Sequence, residues 1–252
     1  MTSTRKDAYF TLTQFIMPSA VPGESKSFFD ARSAEIAAMP AKYGTMMSQR
    51  IRMFPNDRLA KLNPNLGFRL PDPKAREHWV LMKVESVEQA FEYWADEATD
   101  TALGLKELNP EGLILVAEPK ISIDRPDAVG AGPRTYGLLL VTAPAECDLD
   151  KFSRSMDQFF EDAVKIPVCE KNFVKHTMLN PILPVPASIR PNFRHPGPEV
   201  AIALTETPTL EAFIEIFENP DVKAFFAKNL AEPFPGLKAT FYCMDVETNF
   251  KS

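Results

Sequence analysis

The chain of 252 residues predicts an α+β protein built from two similar halves, packed as a barrel with helices outside. Three observations carry that expectation. Strand-like and helix-like segments follow the order βαββαβ, then begin again after an interruption rich in Gly and Pro. Local patterns recur about 125 residues apart, close to half the chain, as an internal duplication would leave them. The predicted strands are apolar on both faces, so a sheet made of them needs cover on each side.

Across 8–17, Tyr9, Thr11, Thr13, Phe15 and Met17 alternate with Phe10, Leu12, Gln14 and Ile16, which places large apolar groups on both faces of a strand. Pro18 and the Pro22-Gly23 pair end it. Over 24–39, Phe28, Phe29, Arg32, Ile36 and Met39 recur at three- and four-residue steps, the spacing of an amphipathic helix. Pro40 and Gly44 stop that helix, and a second strand spans 46–54. Residues 55–76 hold four prolines and little periodicity. They read as a long loop, either a lid or binding loop or a solvated insertion. The third strand runs from His78 to Val84. Ser86, with Gln89 three residues on, forms a capping-box pattern for a helix carrying Ala90, Phe91 and Trp94. Residues 112–123 give the fourth strand, which completes a ferredoxin-like βαββαβ unit over 1–124.

Residues 124–134 are rich in Gly and Pro and form the domain junction. The same grammar then fills 134–252. Residues 136–142 are a strand. A helix beginning at Asp148 carries Phe152, Met156, Phe159, Phe160 and Val164. A second strand at 172–179 holds His176, and a proline-rich loop follows at 181–198. The next strand is 200–204, and Leu210-Glu211-Ala212-Phe213 echoes Glu88-Gln89-Ala90-Phe91. Pro220 opens a short helix over 221–230. Laying Met53 on Met178 aligns the two second strands and sets Arg50 on Lys175 and Ile51 on His176.

Hydrophobic residues make up 45% and charged residues 25%, with a net charge of -6, values ordinary for a globular protein. No basic stripe is present, so neither nucleic acid nor an anionic membrane is an expected partner. Cys147, Cys169 and Cys243 lack CxxC spacing and are expected as free thiols. No leader-like stretch opens the chain and no apolar run approaches the ~20 residues that span a bilayer. The expected location is the cytosol. Walker, GxGxxG and GxSxG motifs are missing, as are HxH and HxxxH spacings, so no cofactor or metal is expected. A haem held by His176 ranks no higher than a metal.

Two four-stranded sheets with helices on one face would each leave an apolar face bare, and the economical arrangement packs those faces together. The sequence here resembles the dimeric α+β barrel proteins, and among them the EthD-type family. The matching features are an opening strand with a Phe-rich helix (Phe28-Phe29; Phe152, Phe159-Phe160), the strand Glu199-Val200-Ala201-Ile202-Ala203-Leu204, Leu210-Glu211-Ala212-Phe213, and Asn219-Pro220-Asp221. The first half lacks an Asn-Pro-Asp element after its second helix. Family units pair as dimers, so two fused copies look like a pseudo-dimer, present as a monomer or a homodimer. The resemblance implies a pocket for a small hydrophobic or aromatic molecule between sheet and helices or between the sheets. Its relatives include cofactor-free cyclases, dehydratases, decarboxylases and some oxygenases.

Such chemistry needs a base near neutrality and a group that steadies an enolate or phenolate oxygen. Only three histidines are available: His78, His176 and His195. His176, set in a predicted strand, reads either as a hydrogen-bonded core residue or as the catalytic acid or base. His195 lies in the proline-rich loop, where it would sit over a pocket or in solvent. His78, at a strand end, ranks last. Lys175 and Arg50 are candidates for binding an anionic group, and Gln14 and Tyr136 are further polar candidates for substrate contacts. The expected function is a cofactor-independent lyase or cyclase on an aromatic or polyketide-derived substrate. Its alternatives are a non-catalytic small-molecule-binding or stress-response protein, and a structural pseudo-dimer whose cavity its own side chains fill.

Overall fold

Alternating apolar segments become eleven strands among the described residues: β1 (Ser3–Thr4), β2 (Tyr9–Ile16), β3 (Met47–Met53), β4 (Phe68–Arg69), β5 (Glu77–Val84), β6 (Glu111–Asp124), β7 (Thr135–Thr142), β8 (Lys175–Pro181), β9 (Phe193–Arg194), β10 (Val200–Thr207) and β11 (Lys238–Lys251). The computed structural model describes residues 3–4, 9–16, 47–53, 68–69, 77–104, 111–125, 134–182, 186 and 188–251, with only the backbone described for 3–4, 47–53, 68–69, 78, 102–103 and 245–251. The expected helix at 24–39, most of the loop at 55–76 and the junction at 126–133 lie outside the described residues.

The main strands pair in the order β6-β2-β5-β3-β11-β7-β10-β8, and β8 pairs again with β6, so the antiparallel sheet curls back on itself. Each run of four has the order fourth, first, third, second in chain sequence. The halves therefore meet edge to edge, through β3–β11 and β6–β8. Closure leaves these long strands without a free edge. Inside the ring Leu12, Trp79, Leu81, Leu113, Leu138 and Ile202 belong to one apolar cluster. Outside it lie two helical layers. The first is α1 (Val87–Ala95), followed by α2 (Glu97–Leu103). The second comprises α3 (Leu149–Ala163), α4 (Pro167–Asn172), α5 (Leu210–Glu218) and α6 (Pro220–Phe226).

Helix starts follow their caps. Ser86 Oγ accepts the Gln89 amide at 3.2 Å while Gln89 Oε1 accepts the Ser86 amide at 3.2 Å, so the predicted capping box forms. Asp148 accepts from the Lys151 amide, Thr209 from that of Ala212, and Asn219 from Asp221 ahead of Pro220 at the first helical position. In α3, Phe152, Met156, Phe159, Phe160 and Ala163 turn one face into the core. After α6 the chain widens into a π-helical turn, Ala227–Ala231.

Two expectations change. The strand predicted from residue 172 begins at Lys175, because 167–172 form α4 with Pro167 at its first position. Six residues are too few to show a helical period, so the segment carried no readable signal. The pairing of Arg50 with Lys175 also fails. Trp79 and Ile202 each sit seven residues before a helix cap, Ser86 or Thr209. Ile51 pairs with Trp79, and Leu179 with Ile202. Arg50, opposite Val80, then corresponds to Met178, opposite Ala203. Ser48, opposite Met82, corresponds to His176, opposite Thr205. The alignment on methionines was out by an odd number of residues, which swaps the faces of a strand.

A repeat that sequence reading missed joins the halves. β4 is Phe68-Arg69 and β9 is Phe193-Arg194, within Gly67-Phe68-Arg69-Leu70-Pro71 and Asn192-Phe193-Arg194-His195-Pro196. β4 pairs in parallel with β11 (Phe68 with Ala239), and β9 in parallel with β6 (Phe193 with Gly112). Each half thus lends a two-residue strand to the last strand of the other.

Candidate functional site

The apolar faces of α3, α5 and α6 and the outer face of β7, β8, β10 and β11 enclose a cavity of about 40 Å³. Seven phenylalanines, Phe159, Phe160, Phe173, Phe213, Phe217, Phe226 and Phe241, make up half of its lining residues. Gly137 makes this crowding possible: a Cβ there would lie 2.6 Å from Phe241 Cζ and 2.8 Å from Phe213 Cζ. Phe173 and Phe226, each 9% exposed, are the most accessible of the lining residues.

His176 brings the one imidazole to this wall. As the second residue of β8 it lies opposite Thr205 on β10, which also lines the cavity. Its ring stacks on Phe173 with centroids 5.6 Å apart and 22° between planes, and Phe160 leans on it at 5.9 Å. The side chain is 3% exposed, and Nδ1 is buried with no hydrogen-bond partner among the described residues. Burial without a charge partner pushes its pKa down to about 4, so the imidazole is neutral at pH 7. The Cys169 thiol, also in the wall, is pushed up to about 12 by burial and stays protonated. All three cysteines are free thiols.

The other predicted site residues do not join His176. Neighbouring strand residues face opposite sides, so Lys175 lies on the inner face of the ring, half-buried, opposite Glu206 and Asp124 in the ladder. Tyr136 stands next in that row, opposite Glu206, and packs against the inner cluster. Arg134 Nη1 pairs with Glu206 Oε2 at 2.9 Å. The Tyr136 phenol is pushed up to about 12, first by burial and then by Glu206, against the pull of Arg134. Gln14 donates to Glu77 Oε2 at 2.7 Å and reaches the Tyr242 hydroxyl at 3.5 Å. Burial and Glu77 push the Tyr242 phenol up. His195 is half-buried in the strap after β9, and neither ring nitrogen has a partner among the described residues. Arg50 and His78 are placed only by register, opposite Val80 and Phe15 respectively.

Among the described residues no group of three or more His, Cys, Asp and Glu could hold a metal ion, and no helix is long and apolar enough to cross a membrane. Sequence reading found His176 because a histidine among apolar strand residues is conspicuous. It missed the aromatic cage, since phenylalanines on four separate elements and on the link before β8 give no local pattern.

The whole chain superposes on several solved structures at low identity. An anthrone oxidase-like protein matches with TM-score 0.58 and 11% identity, over 100% of this chain and 98% of the other. A candidate monooxygenase from Fusobacterium nucleatum matches with TM-score 0.56 and 7% identity, over 97% and 98%. A mutant chlorite dismutase from Candidatus Nitrospira defluvii matches with TM-score 0.51 and 14% identity, over 96% and 93%. The fold is that of the dimeric α+β barrel proteins. No protein-family model matches the chain, and no curated protein matches its sequence. Dimeric α+β barrel architecture explains why both faces of the strands are apolar: one lines the ring and the other meets helices.

Proposed function

We propose that the cavity is the active site of a cofactor-independent lyase or cyclase that acts on a small, neutral, largely apolar molecule, with His176 as the proton-transfer group. The observation that carries this reading is the unpartnered Nδ1 of a fully buried neutral imidazole in the wall of an apolar cavity. A buried polar atom left unpaired costs about 1–3 kcal/mol, and a bound substrate is what would satisfy it. No carboxylate lines the cavity to steady an imidazolium. A proton taken from substrate would therefore leave an imidazolium beside the enolate or phenolate just formed, each the other's counter-charge in a dry site. That arrangement suits a proton that is accepted and promptly returned, as in dehydration or cyclisation.

The closed cavity, at about 40 Å³, is far below the ~150 Å³ that holds a benzene ring. An aromatic or polyketide-derived substrate thus requires Phe173 and Phe226 to swing outward. With a substrate from a matching screen, His176→Ala should abolish turnover while the far-UV circular dichroism spectrum is retained. Undiminished turnover would remove His176 from the mechanism. Saturable binding with no product by mass spectrometry would favour a non-catalytic binding protein. The names of the structural neighbours favour a second reading, oxygenation of the same substrate class, and oxygen uptake matched to substrate loss would select it.

The chain is best read as two fused ferredoxin-like copies, 1–124 and 134–252, forming a pseudo-dimer. The strand order repeated in each half and the exchanged Phe-Arg strands support this. What supports EthD-type membership is local: the Phe-rich segments of both halves, residues 199–204 and 210–213, and Asn219-Pro220-Asp221.

A further inference from the structure

The apolar layer between α1 and the first-half strands contains residues from the other half of the chain. Ile189 and Phe193 join Phe15, Val80, Tyr93, Trp94 and Ile114 in one buried cluster, and Ile182 packs against it. The Phe193 ring meets Phe15 edge-on at 5.7 Å. This strap from the second half thus occupies space between helix and sheet, the layer in which the second half has its cavity. It is held at a cost. Arg190 adopts the left-handed conformation, φ 54°, the only non-glycine residue to do so among those described. A non-glycine residue holds that conformation only where surrounding contacts fix it. Arg190 bridges to Asp100 on α2 and donates to the Asp96 carbonyl at 3.3 Å, while its Nε is buried without a partner.

We propose that this layer is a second, concealed binding site for small neutral aromatic molecules, with Phe193 as its resident occupant and the Arg190–Asp100 pair as the latch. Phe193 fills the site as a ligand would: an aromatic ring delivered on a short strand whose backbone pairs only over two residues of β6. A free aromatic molecule enters only when the strap lifts, so its apparent affinity is reduced by the fraction of chains with the strap open. The inference is independent of catalysis at His176, because the two apolar clusters share no residue.

The reporter is Trp94, whose indole N–H donates to Thr11 Oγ1 at 3.1 Å in this layer. The other tryptophan, Trp79, faces the ring interior, and Trp94→Phe assigns the two indole resonances. Toluene is titrated into the wild-type chain, Arg190→Ala and Asp100→Asn while the Trp94 indole resonance is followed by NMR. Neither substitution removes a side chain of the apolar cluster, so neither makes a cavity there directly. Saturable shifts of Trp94 at toluene concentrations about tenfold lower in both variants than in wild type are expected. Hydrogen exchange at the Ile189 and Phe193 amides should speed up in parallel, while the β2–β6 ladder is unchanged. An unmoved Trp94 resonance in a folded Asp100→Asn chain overturns the proposal, as does strap exchange that occurs only with global unfolding.

Discussion

The acid limb of stability should change when His176 is replaced by phenylalanine. The imidazole is fully buried, and its pKa of about 4 in the fold lies below the ordinary value of 6.5. Above pH ~6.5 neither the folded nor the unfolded state carries the proton, and the group has no effect on the pH dependence. Between pH ~6.5 and ~4 the unfolded chain binds the proton and the folded chain does not. Stability therefore falls with pH across that window, and the loss is complete below about 4. From pH 7 to pH 4.5 the expected loss from this one group is about 2–3 kcal/mol. The only other titratable group in the cavity wall, Cys169, is neutral throughout. Urea unfolding of wild type and His176→Phe at both pH values isolates the effect, because contributions from carboxylates are common to the two chains. The variant should lose about 2–3 kcal/mol less on acidification. Equal losses in both would show that the imidazole is solvated or already paired, and the reading of the cavity would go with it.

Two further substitutions test the first-half layer. A Cβ on Gly112 would lie 1.9 Å from the Gln14 carbonyl oxygen and 3.2 Å from Phe193. Backbone cannot yield as a side-chain tip does, so Gly112→Ala should lower stability by more than about 3 kcal/mol, or abolish soluble expression, in a denaturant titration. Ser86→Ala removes half of the capping box on α1. It should cost about 1 kcal/mol by the same assay and leave ligand binding at the second-half cavity unchanged.

The succession of strands along the chain and most helix positions were legible because they rest on local signals. Ser86 and Gln89 announce α1, and Phe152, Met156, Phe159 and Phe160 announce α3, by spacing alone. Register was not legible. Matching Met53 to Met178 looked natural, yet both strands are apolar on each face, so a slip by an odd number left the pattern plausible while moving Arg50 away from Lys175. The Phe-Arg strands escaped notice for a related reason. Two residues have no period, and their meaning lies in the strand they cross to reach. Of the predicted site residues, His176 lines the cavity, whereas Lys175, Gln14 and Tyr136 belong to the ring interior. A sequence shows which residues are polar in apolar company, but only the sheet's register shows which of them share a face.

The energetics of His176 bear on why a histidine stands there. A histidine kept for stability would have its nitrogens paired, since an orphaned one costs about 1–3 kcal/mol, and stacking on Phe173 returns only about 0.5–1.5 kcal/mol. Phenylalanine at the same position would keep the stacking and remove the orphan. His176→Phe is thus expected to match or exceed wild-type stability at neutral pH. The corresponding register position of the first half carries Ser48, so neither the fold nor its strand order demands an imidazole. A group that the fold does not require, and that a common residue would replace without loss, fits best as one held for a ligand. Retention of stability together with loss of turnover in His176→Phe would separate the two roles. A marked destabilisation at pH 7 would return the residue to the core.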